Sequence, residues 1–526
     1  MKKKYGVVLV LAVYILLLFA LTAAESPFPD SSIRSVGDAL WYSLVTITTV
    51  GYGDLYPVSQ AGRIIGVFFL LLSIGALAFA VSFVLSLLTG RFIPHLVLHF
   101  NRNKRWFVFS EMNEVSAALA QSLSHTQSDG LMVFCRCAPE QDTSSRRDFR
   151  AVFVPQDIGF AMRFPGAGKQ ARTAFFIGSD ELANCGEALS LRGNDAALMD
   201  MYCLSEENSH LPGMNCFDPY ECCARQFWLT HPVCLHEASI LIIGSGRYAQ
   251  ALLDHALLIN CRTPFAASAY HLFGDWGEYR RNHARLCHAL SACPVGEETD
   301  GLHFHEDAWN ADLDLIANAD RIIFCADDGD ENARKACMLH RCFPYRAALY
   351  VRTASVVAPG TRFGAPAEIY TPELVMKHAL DQSAMIMHEQ YRQSAGGSVP
   401  AWEELDSFLK DSNRSVADHL LTKLRLLLPD EDGASLSDED CTKAIKAYKA
   451  GGEALLERCR RNEHERWMRF HLLHNWQYAP KRDNRMRLHP SLVPFDQLSE
   501  KEKAKDDYAW TMLEQLGGHA KNQEQV

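Results

Sequence analysis

Two long uncharged apolar runs open the chain, and beyond them the pattern changes to short apolar stretches alternating with helical spacing. The first run, Gly6 to Ala24, holds nineteen residues without a charge, close to the ~20 that a helix needs to cross a bilayer core. The second, Ile64 to Thr89, holds twenty-six. At helical rise it reaches ~39 Å, enough to cross with tilt. Between them lies a polar, Pro-containing loop, Glu25 to Arg34. A segment of half-membrane length follows, Val36 to Thr48, capped near Ser35 or Asp38.

A linker from Arg91 to Lys104 contains Pro94 and ends the apolar region. Arg105-Trp106-Phe107-Val108-Phe109 then reads as a buried strand, and Glu114 to Leu123 as a helix. The same grammar returns at Ser239 to Ile243, followed by the turn Gly244-Ser245-Gly246-Arg247 and a helix from Gln250. Residues 171–180 align with 319–328, and the register continues through Asn184 with Asn332 and Ala188 with Ala336. Two copies of a βαβ unit predict two parallel-sheet α/β domains.

From about Pro372 the spacing is helical and charged: Leu374 to Arg392, Val416 to Leu427 and Lys443 to Trp467, with polar breaks at Ser394 to Pro400 and Pro429 to Asp438. His388-Glu389-Gln390-Tyr391-Arg392 is echoed by His464-Glu465-Arg466-Trp467-Met468-Arg469, a sign of a duplicated helix. The predicted architecture is an α-helical transmembrane pore domain of two helices plus a pore helix (1–92), followed by two Rossmann-like α/β domains (104–236 and 238–371). A helical segment (373–450) and an all-α C-terminal module (453–520) complete it.

At 526 residues the chain has room for several domains. Its net charge of −11 argues against nucleic acid as a partner. The sixteen cysteines begin at Cys135 with no framework spacing, as reduced cytosolic thiols do. Lys2, Lys3 and Lys4 flank the same side of the two runs as Arg91, Arg102, Lys104 and Arg105. The positive-inside rule then places both termini in the cytoplasm, in a multi-pass protein of the cell (inner) membrane. No Ser-His-Asp set or paired carboxylates stand out, so no enzyme is expected.

The candidate chemistry lies between the runs. Thr46-Ile47-Thr48-Thr49-Val50-Gly51-Tyr52-Gly53-Asp54 alternates glycines with larger residues. Stripping water from an ion requires a ladder of oxygens turned toward one axis. Gly51 and Gly53 permit the left-handed backbone this needs. Thr49 can close the inner end of the ladder, and Trp41 and Tyr42 lie where they can buttress the Tyr52 ring. A signal peptide ending at Thr22-Ala23-Ala24 is the rival reading of the first run, but a filter requires an outer helix before it. The stretch from Leu40 to Pro57 closely resembles the potassium-channel signature. The resemblance implies K+ held by Thr49, Val50, Gly51 and Tyr52, a filter completed by Gly53, support from Trp41, Tyr42, Thr48 and Asp54, and a homotetramer around one axis in the lipid bilayer. Channels of this type often bend at an inner-helix glycine. Gly66 and Gly75 interrupt the second run, and Gly75 is the hinge candidate; packing of helices is the alternative for both.

The two α/β copies resemble the regulator-of-potassium-conductance (RCK) domains of such channels, on the Gly244 turn and the strand end Asp327-Asp328-x-Asp330-x-Asn332. Gly244, Ser245, Gly246 and Arg247 are nucleotide-binding candidates, against a purely structural tight turn. In the first copy Ser110 and Met112 replace the glycines. Asp327, Asp328, Asp330 and Glu331 are a weak Ca2+ candidate without dedicated loop spacing. Cys216, Cys222, Cys223, His231 and Cys234 fit no standard zinc pattern.

Glu463-His464-Glu465-Arg466-Trp467, Asn475-Trp476-Gln477-Tyr478-Ala479-Pro480-Lys481-Arg482-Asp483 and His489-Pro490 to Phe495 resemble the RyR domain, a module named for ryanodine receptors. Trp467, Trp476 and Tyr478 offer stacking faces; Lys481, Arg482, Asp483 and His489 complete the ligand candidates, with Arg482 for phosphate. The alternative is that the aromatics form a small helical core. The whole implies a ligand-gated potassium channel responding to a small molecule, plausibly a nucleotide messenger. A membrane-anchored nucleotide sensor and a tethered dinucleotide-dependent oxidoreductase are the competing classes.

Overall fold

The computed structural model describes residues 2–87, 93–137, 151–165, 172–178, 180–195, 200–205, 214–291, 299–394, 399–429 and 435–516; side chains of 2–12, of scattered positions over 72–87, and of 193–195 and 515–516 fall outside the description. The chain divides into Met1–Asn101 with Phe153–Pro155, and the remainder.

The first unit contains α1 (Lys2–Glu25), α2 (Val36–Ile47) and α3 (Gln60–Leu87). α2 starts where its cap predicts: Ser35 Oγ accepts from Asp38 N, and the Asp38 carboxylate accepts from Ser35 N. Leu18, Leu21, Ile33, Ala39 and Phe69 form a small core joining the three helices. Among the described residues no helix is long and apolar enough to cross a membrane, and much of both apolar runs lies among side chains that are not described. Residues 88–92, including Thr89 and Arg91 of the expected second run and linker, lie outside the described residues. The rest of the expected linker is a helix, Ile93–Phe100, whose Pro94 sits in the first turn, where no amide hydrogen is required.

In the second unit, β1 (Trp106–Phe109), β2 (Leu131–Phe134), β3 (Ala151–Phe153), β4 (Arg172–Phe176), β5 (Asp200–Leu204) and β6 (Asn215–Phe217) form a sheet in the order β3-β2-β1-β4-β5-β6. β7 (Ser239–Ile243), β8 (Ala269–Phe273), β9 (Gly301–His305), β10 (Arg321–Phe324), β11 (Ala348–Arg352) and β12 (Thr361–Phe363) repeat it as β12-β11-β10-β7-β8-β9. β1 runs parallel between β2 and β4, and β7 between β8 and β10. This is the doubly wound order, with its switch point at β1/β4 and β7/β10.

The internal alignment has a physical counterpart. Asn184 Oδ1 accepts from Gly178 N at 2.7 Å and its Nδ2 donates to Gly178 O. Asn332 makes the same two bonds to Ala326, both at 2.8 Å. Each asparagine ties the end of a central strand to the following helix.

The C-terminal region differs from expectation in several places. The helix expected over 374–392 is broken into Pro372–Val375, a 3-10 turn Ala379–Asp381 and Gln382–Ser394, parted where His378 has φ +48°. The spacing over 443–467 predicts one helix, yet Asp438–Ala450 and Gly452–Leu473 are separate, because Gly452 adopts φ +69°. Likewise Ser407–Asp418 and Leu420–Leu427 part at His419. The expected division between 373–450 and 453–520 is not a division between cores: Met387, Leu420, Leu424, Ile445, Trp510 and Leu513 share one cluster. The duplicated helix is real. His388 Nε2 is bonded to Pro400 O at 2.9 Å and His464 Nε2 to Val493 O at 2.8 Å. Each carbonyl leads into a short 3-10 turn, Trp402–Glu404 or Phe495–Gln497, and each histidine ring lies 6.0 Å from that turn's aromatic.

Candidate functional site

The filter segment carries positive φ at Thr49 (+60°), Gly51 (+59°) and Gly53 (+71°). The glycines are where the residue pattern places them, and a Cβ there would meet nothing within 4 Å, so conformation alone selects glycine. Thr49 is unexpected, since a β-branched residue adopts that region only under external restraint. The restraint begins at α2: Val50 N and Gly51 N both donate to Val45 O, and Thr48 Oγ1 donates to Leu44 O at 2.7 Å. On the far side Trp41 stacks on Tyr52 (6.2 Å between centroids, 5° between planes), and its Nε1 donates to Asp54 Oδ2 at 2.8 Å. Trp41 therefore buttresses the Tyr52 ring. Tyr42 does not; its ring packs edge-on against Phe69, with its hydroxyl beside Gly66.

Glu25, placed by its charge at the start of a polar loop, is buried. Its carboxylate accepts from Ser31 Oγ, Val58 N, Ser59 N and Ser59 Oγ at 2.7–3.0 Å. It thus pins the segment after the filter to the end of α1. Gly62 is needed beneath it, since an added Cβ would stand 1.9 Å from Glu25 Oε1. Only the absence of any other acid between Lys4 and Asp30 hinted at this in the sequence. The two α3 glycines separate by contact: a Cβ on Gly66 would meet Tyr42 Oη at 2.8 Å, whereas one on Gly75 meets nothing within 4 Å.

At the second doubly wound sheet, Gly244 has φ +138° and no room for a Cβ, which would lie 2.6 Å from Ala326 N. Beyond it the first amides of helix Arg247–Ile259 already face an anion. Asp327 Oδ2 accepts from Arg247 N at 3.3 Å, and Oδ1 from Tyr248 N at 3.2 Å. A phosphate at this helix start would have to displace that carboxylate. Ser245 packs toward Gly274, and Arg352 lies over the Tyr248 ring at 4.0 Å while donating to Asp327 O. The geometry is that of the structural turn. The acids of the Ca2+ candidate are engaged too: Asp328 caps helix Gly329–Cys342, and Glu331 pairs with Lys335. Among the described residues no group of three ligating side chains is arranged to hold a metal, the Cys216 to Cys234 set included.

A cavity of about 410 Å³ opens between the two copies of the duplicated helix. Met387 and Tyr391 line it from the first and Trp467 from the second; Ser412 and Asn413 come from Ser407–Asp418, and Arg482, His489, Lys505, Asp506 and Tyr508 from the segment after the second copy. Tyr391 and Trp467 occupy matching places, three residues after His388 and His464. Of the candidates in the RyR-like segment, Trp467, Arg482 and His489 converge here. Trp476 is instead core, buried and stacked on Phe408 at 5.3 Å. Tyr478, Lys481 and Asp483 lie on the exposed strand and loop outside the lining. Burial, then Arg482, pushes His489 down to about 4, so it stands neutral against Trp467 at 4.9 Å. Glu463 at the floor is matched by Arg466 and by Lys423 at 2.7 Å. Tyr391, Ser412 and Asn413 escaped the sequence reading because they lie some fifty to seventy residues from the motif; the His388 echo was the available signal.

Along the chain, a short helix and turn between two apolar runs are followed by tandem doubly wound sheets and a helical module. Residues 7–90 match the Ion channel family and residues 448–517 match the RyR domain. The chain thus joins a segment similar to ion channels and a segment similar to the RyR domain to two doubly wound α/β sheets. A voltage-gated potassium channel of Aeropyrum pernix is 48% identical over 64 residues, 12% of this chain and 22% of that protein. Human potassium voltage-gated channel subfamily A member 6 is 48% identical over 52 residues, 10% of each. The chain spans about a fifth or less of the length of these relatives. The solved GsuK channel bound to NAD covers 72% of this chain and 85% of its own, at 12% identity and a TM-score of 0.36.

Proposed function

We propose that the chain is the subunit of a homotetrameric, K+-selective channel of the cell membrane, with both termini cytoplasmic and conduction controlled by its RCK-type and RyR-type parts. The observation that carries this is the filter segment: left-handed backbone at Thr49, Gly51 and Gly53, clamped by Trp41, Tyr52 and Asp54. One strand cannot enclose an ion, so four are needed around an axis. α3 supports this from the side, since Ile64, Val67, Phe68, Leu70, Leu71 and Ile74 are more than half exposed on the single chain, an apolar surface suited to lipid or neighbouring subunits. In this reading the permeant ion is K+, Gly75 is the hinge of the inner helix, and a nucleotide-type small molecule is the gating ligand. Ca2+ has no support in the arrangement of the acids, and no catalytic role is assigned.

The test is potassium flux from vesicles reconstituted with the full chain, with barium as blocker. Flux that is selective over sodium and blocked by barium supports the channel; its absence from vesicles holding folded tetramer rejects it. The cavity between the helix copies favours a second reading, a membrane-anchored nucleotide sensor in which conduction is secondary. Nucleotide binding without flux would select it.

A further inference from the structure

The cavity between the two helix copies contains a buried oxygen with nothing to bond. Asp506 Oδ2 lies in its wall, shielded from solvent and without a hydrogen-bond partner; His464 Nδ1 stands 3.9 Å away. Buried polar atoms in folded proteins are nearly always paired, and an unpaired one in a cavity wall points to a ligand or water. The surroundings narrow the ligand. Each helix copy presents an aromatic face at the same place in its repeat, Tyr391 and Trp467, and the Tyr508 ring stands 6.1 Å from Tyr391. Arg482 brings positive charge to the same walls, where Lys505 is paired with Glu502. The acids opposite are spoken for: Glu463 by Arg466 and Lys423, and Glu502 by Lys505 and Ser491.

The protonation of Asp506 decides which ring edge it fits. Burial, then the Glu463 charge, pushes its carboxyl up to about 8, although Arg466 and Lys423 pull the other way. With the carboxyl raised toward neutrality, its protonated form presents one oxygen as a donor and the other as an acceptor. That pattern matches a ring nitrogen beside an exocyclic amino group, the edge of adenine or cytosine. Guanine offers two adjacent donors to a carboxylate and, to a protonated carboxyl, a carbonyl oxygen beside a ring N–H, which displaces the ring from the position that adenine or cytosine takes.

Building on the assignment of this module as the ligand sensor, we propose that the cavity takes a nucleotide whose base presents an acceptor nitrogen beside an amino group. Asp506 reads that edge, Tyr391 and Trp467 flank the base, and Arg482 faces the phosphates. The site is then shared between the RyR domain and the helix pair 382–418 that precedes it, and neither half suffices alone.

Calorimetry of the detergent-solubilised full chain against ADP, CDP, GDP and pyrophosphate tests this. The expected result is binding of ADP or CDP, with GDP and pyrophosphate weaker by about tenfold or more, the size of one or two buried hydrogen bonds. Asp506→Asn keeps a donor and an acceptor and retains the preference; Asp506→Leu erases it. Tyr391→Leu, outside the RyR-matched segment, weakens ADP or CDP by about tenfold from lost stacking, and provides the test should Asp506→Leu fail to fold. GDP binding as tightly as ADP and CDP, an unchanged preference in Asp506→Leu, or unchanged affinity in Tyr391→Leu overturns the assignment while leaving the sensor standing. If none of the four probes binds the folded chain, sensor and base-reading assignment both fall, and potassium flux still judges the pore separately.

Discussion

At the scale of single residues, the filter and its supports divide by what each atom has to avoid. Gly53 has φ +71° and no atom of its own chain near an added Cβ, so within one subunit Gly53→Ala acts through conformation. An L-residue there costs on the order of 1–2 kcal/mol in each strand of the proposed tetramer. The expected outcome is loss of potassium-over-sodium selectivity in reconstituted vesicles, with the subunit still folded; normal selectivity would reject the filter assignment. Gly62 is the opposite case, with a Cβ 1.9 Å from a buried carboxylate. Gly62→Ala should therefore displace Glu25 from its four partners and reduce tetramer recovered by size exclusion, more severely than Gly75→Ala, whose Cβ meets nothing. The glycines of the filter were legible because conformational freedom is written in residue type. Glu25 was not, because a charge in a short loop reads as solvated until the donors that surround it, Ser31, Val58 and Ser59, are brought together by the fold. Trp467, Arg482 and His489 were legible as a set, whereas Trp476 was misplaced: an aromatic beside basic residues looks the same in sequence whether it faces a ligand or a core.

At the scale of elements, the chain declares its strands and helices more clearly than their breaks. The asparagines at 184 and 332 give the duplication a mechanism, since each closes the same strand-to-helix turn with two hydrogen bonds. The break at Gly452 escaped a periodicity reading because apolar spacing survives a change of helix direction, and the shared core of 382–516 escaped it because packing across a hundred residues leaves no local trace. Joining elements depends on buried charge. Arg225, on helix Pro219–Thr230, donates to Asp418 and Asp381 at 2.7 Å each and to Leu380 O, fastening the first sheet domain's last helix to the C-terminal module. Removing Arg225 leaves Asp418 buried and unpaired while Asp381 keeps Arg414, at a cost of about 3–5 kcal/mol. Arg225→Met should lower the denaturation midpoint accordingly, while the milder Asp327→Ala should cost about 0.5–2 kcal/mol through loss of a helix cap. Chemical denaturation of both variants checks the order. Equal effects would mean that the Arg225 network is not the fastening it resembles.

At the scale of the whole molecule, two consequences follow from how these parts combine. The first concerns pH. Burial holds His255, His271 and His489 down at about 4 and His471 at about 3, with neighbouring charges secondary. Their neutral forms support the fold above the usual histidine value of ~6.5, and that support is lost as pH falls through it toward 4. Burial, with Glu221 or Glu463 beside them, pushes Asp218 and Asp506 up to about 8. Their support is complete below the usual carboxylate value of ~4 and is lost as pH rises toward 8. Melting temperature should therefore peak between about pH 6 and 7 and decline on both sides; a plateau from 5 to 9 would contradict it. The second concerns coupling. The boundary between compact units falls at Asn101, between the helix Ile93–Phe100 and β1 at Trp106, so few residues separate that helix from the first sheet. A ligand can shift gating only by binding two states of the cytosolic part unequally, and that difference must pass through this helix to reach α3. Ending the chain after Asn101 should leave a tetrameric pore whose flux is no longer changed by ADP or CDP, whereas lengthening the connection after Asn101 with ten flexible Gly/Ser residues should keep nucleotide binding and abolish its effect on flux. The insertion is the sharper of the two, because it preserves every site and removes only stiffness. If flux in the lengthened channel answers nucleotide as the native chain does, control does not travel through the linker, and the cytosolic part acts on the pore by direct contact instead.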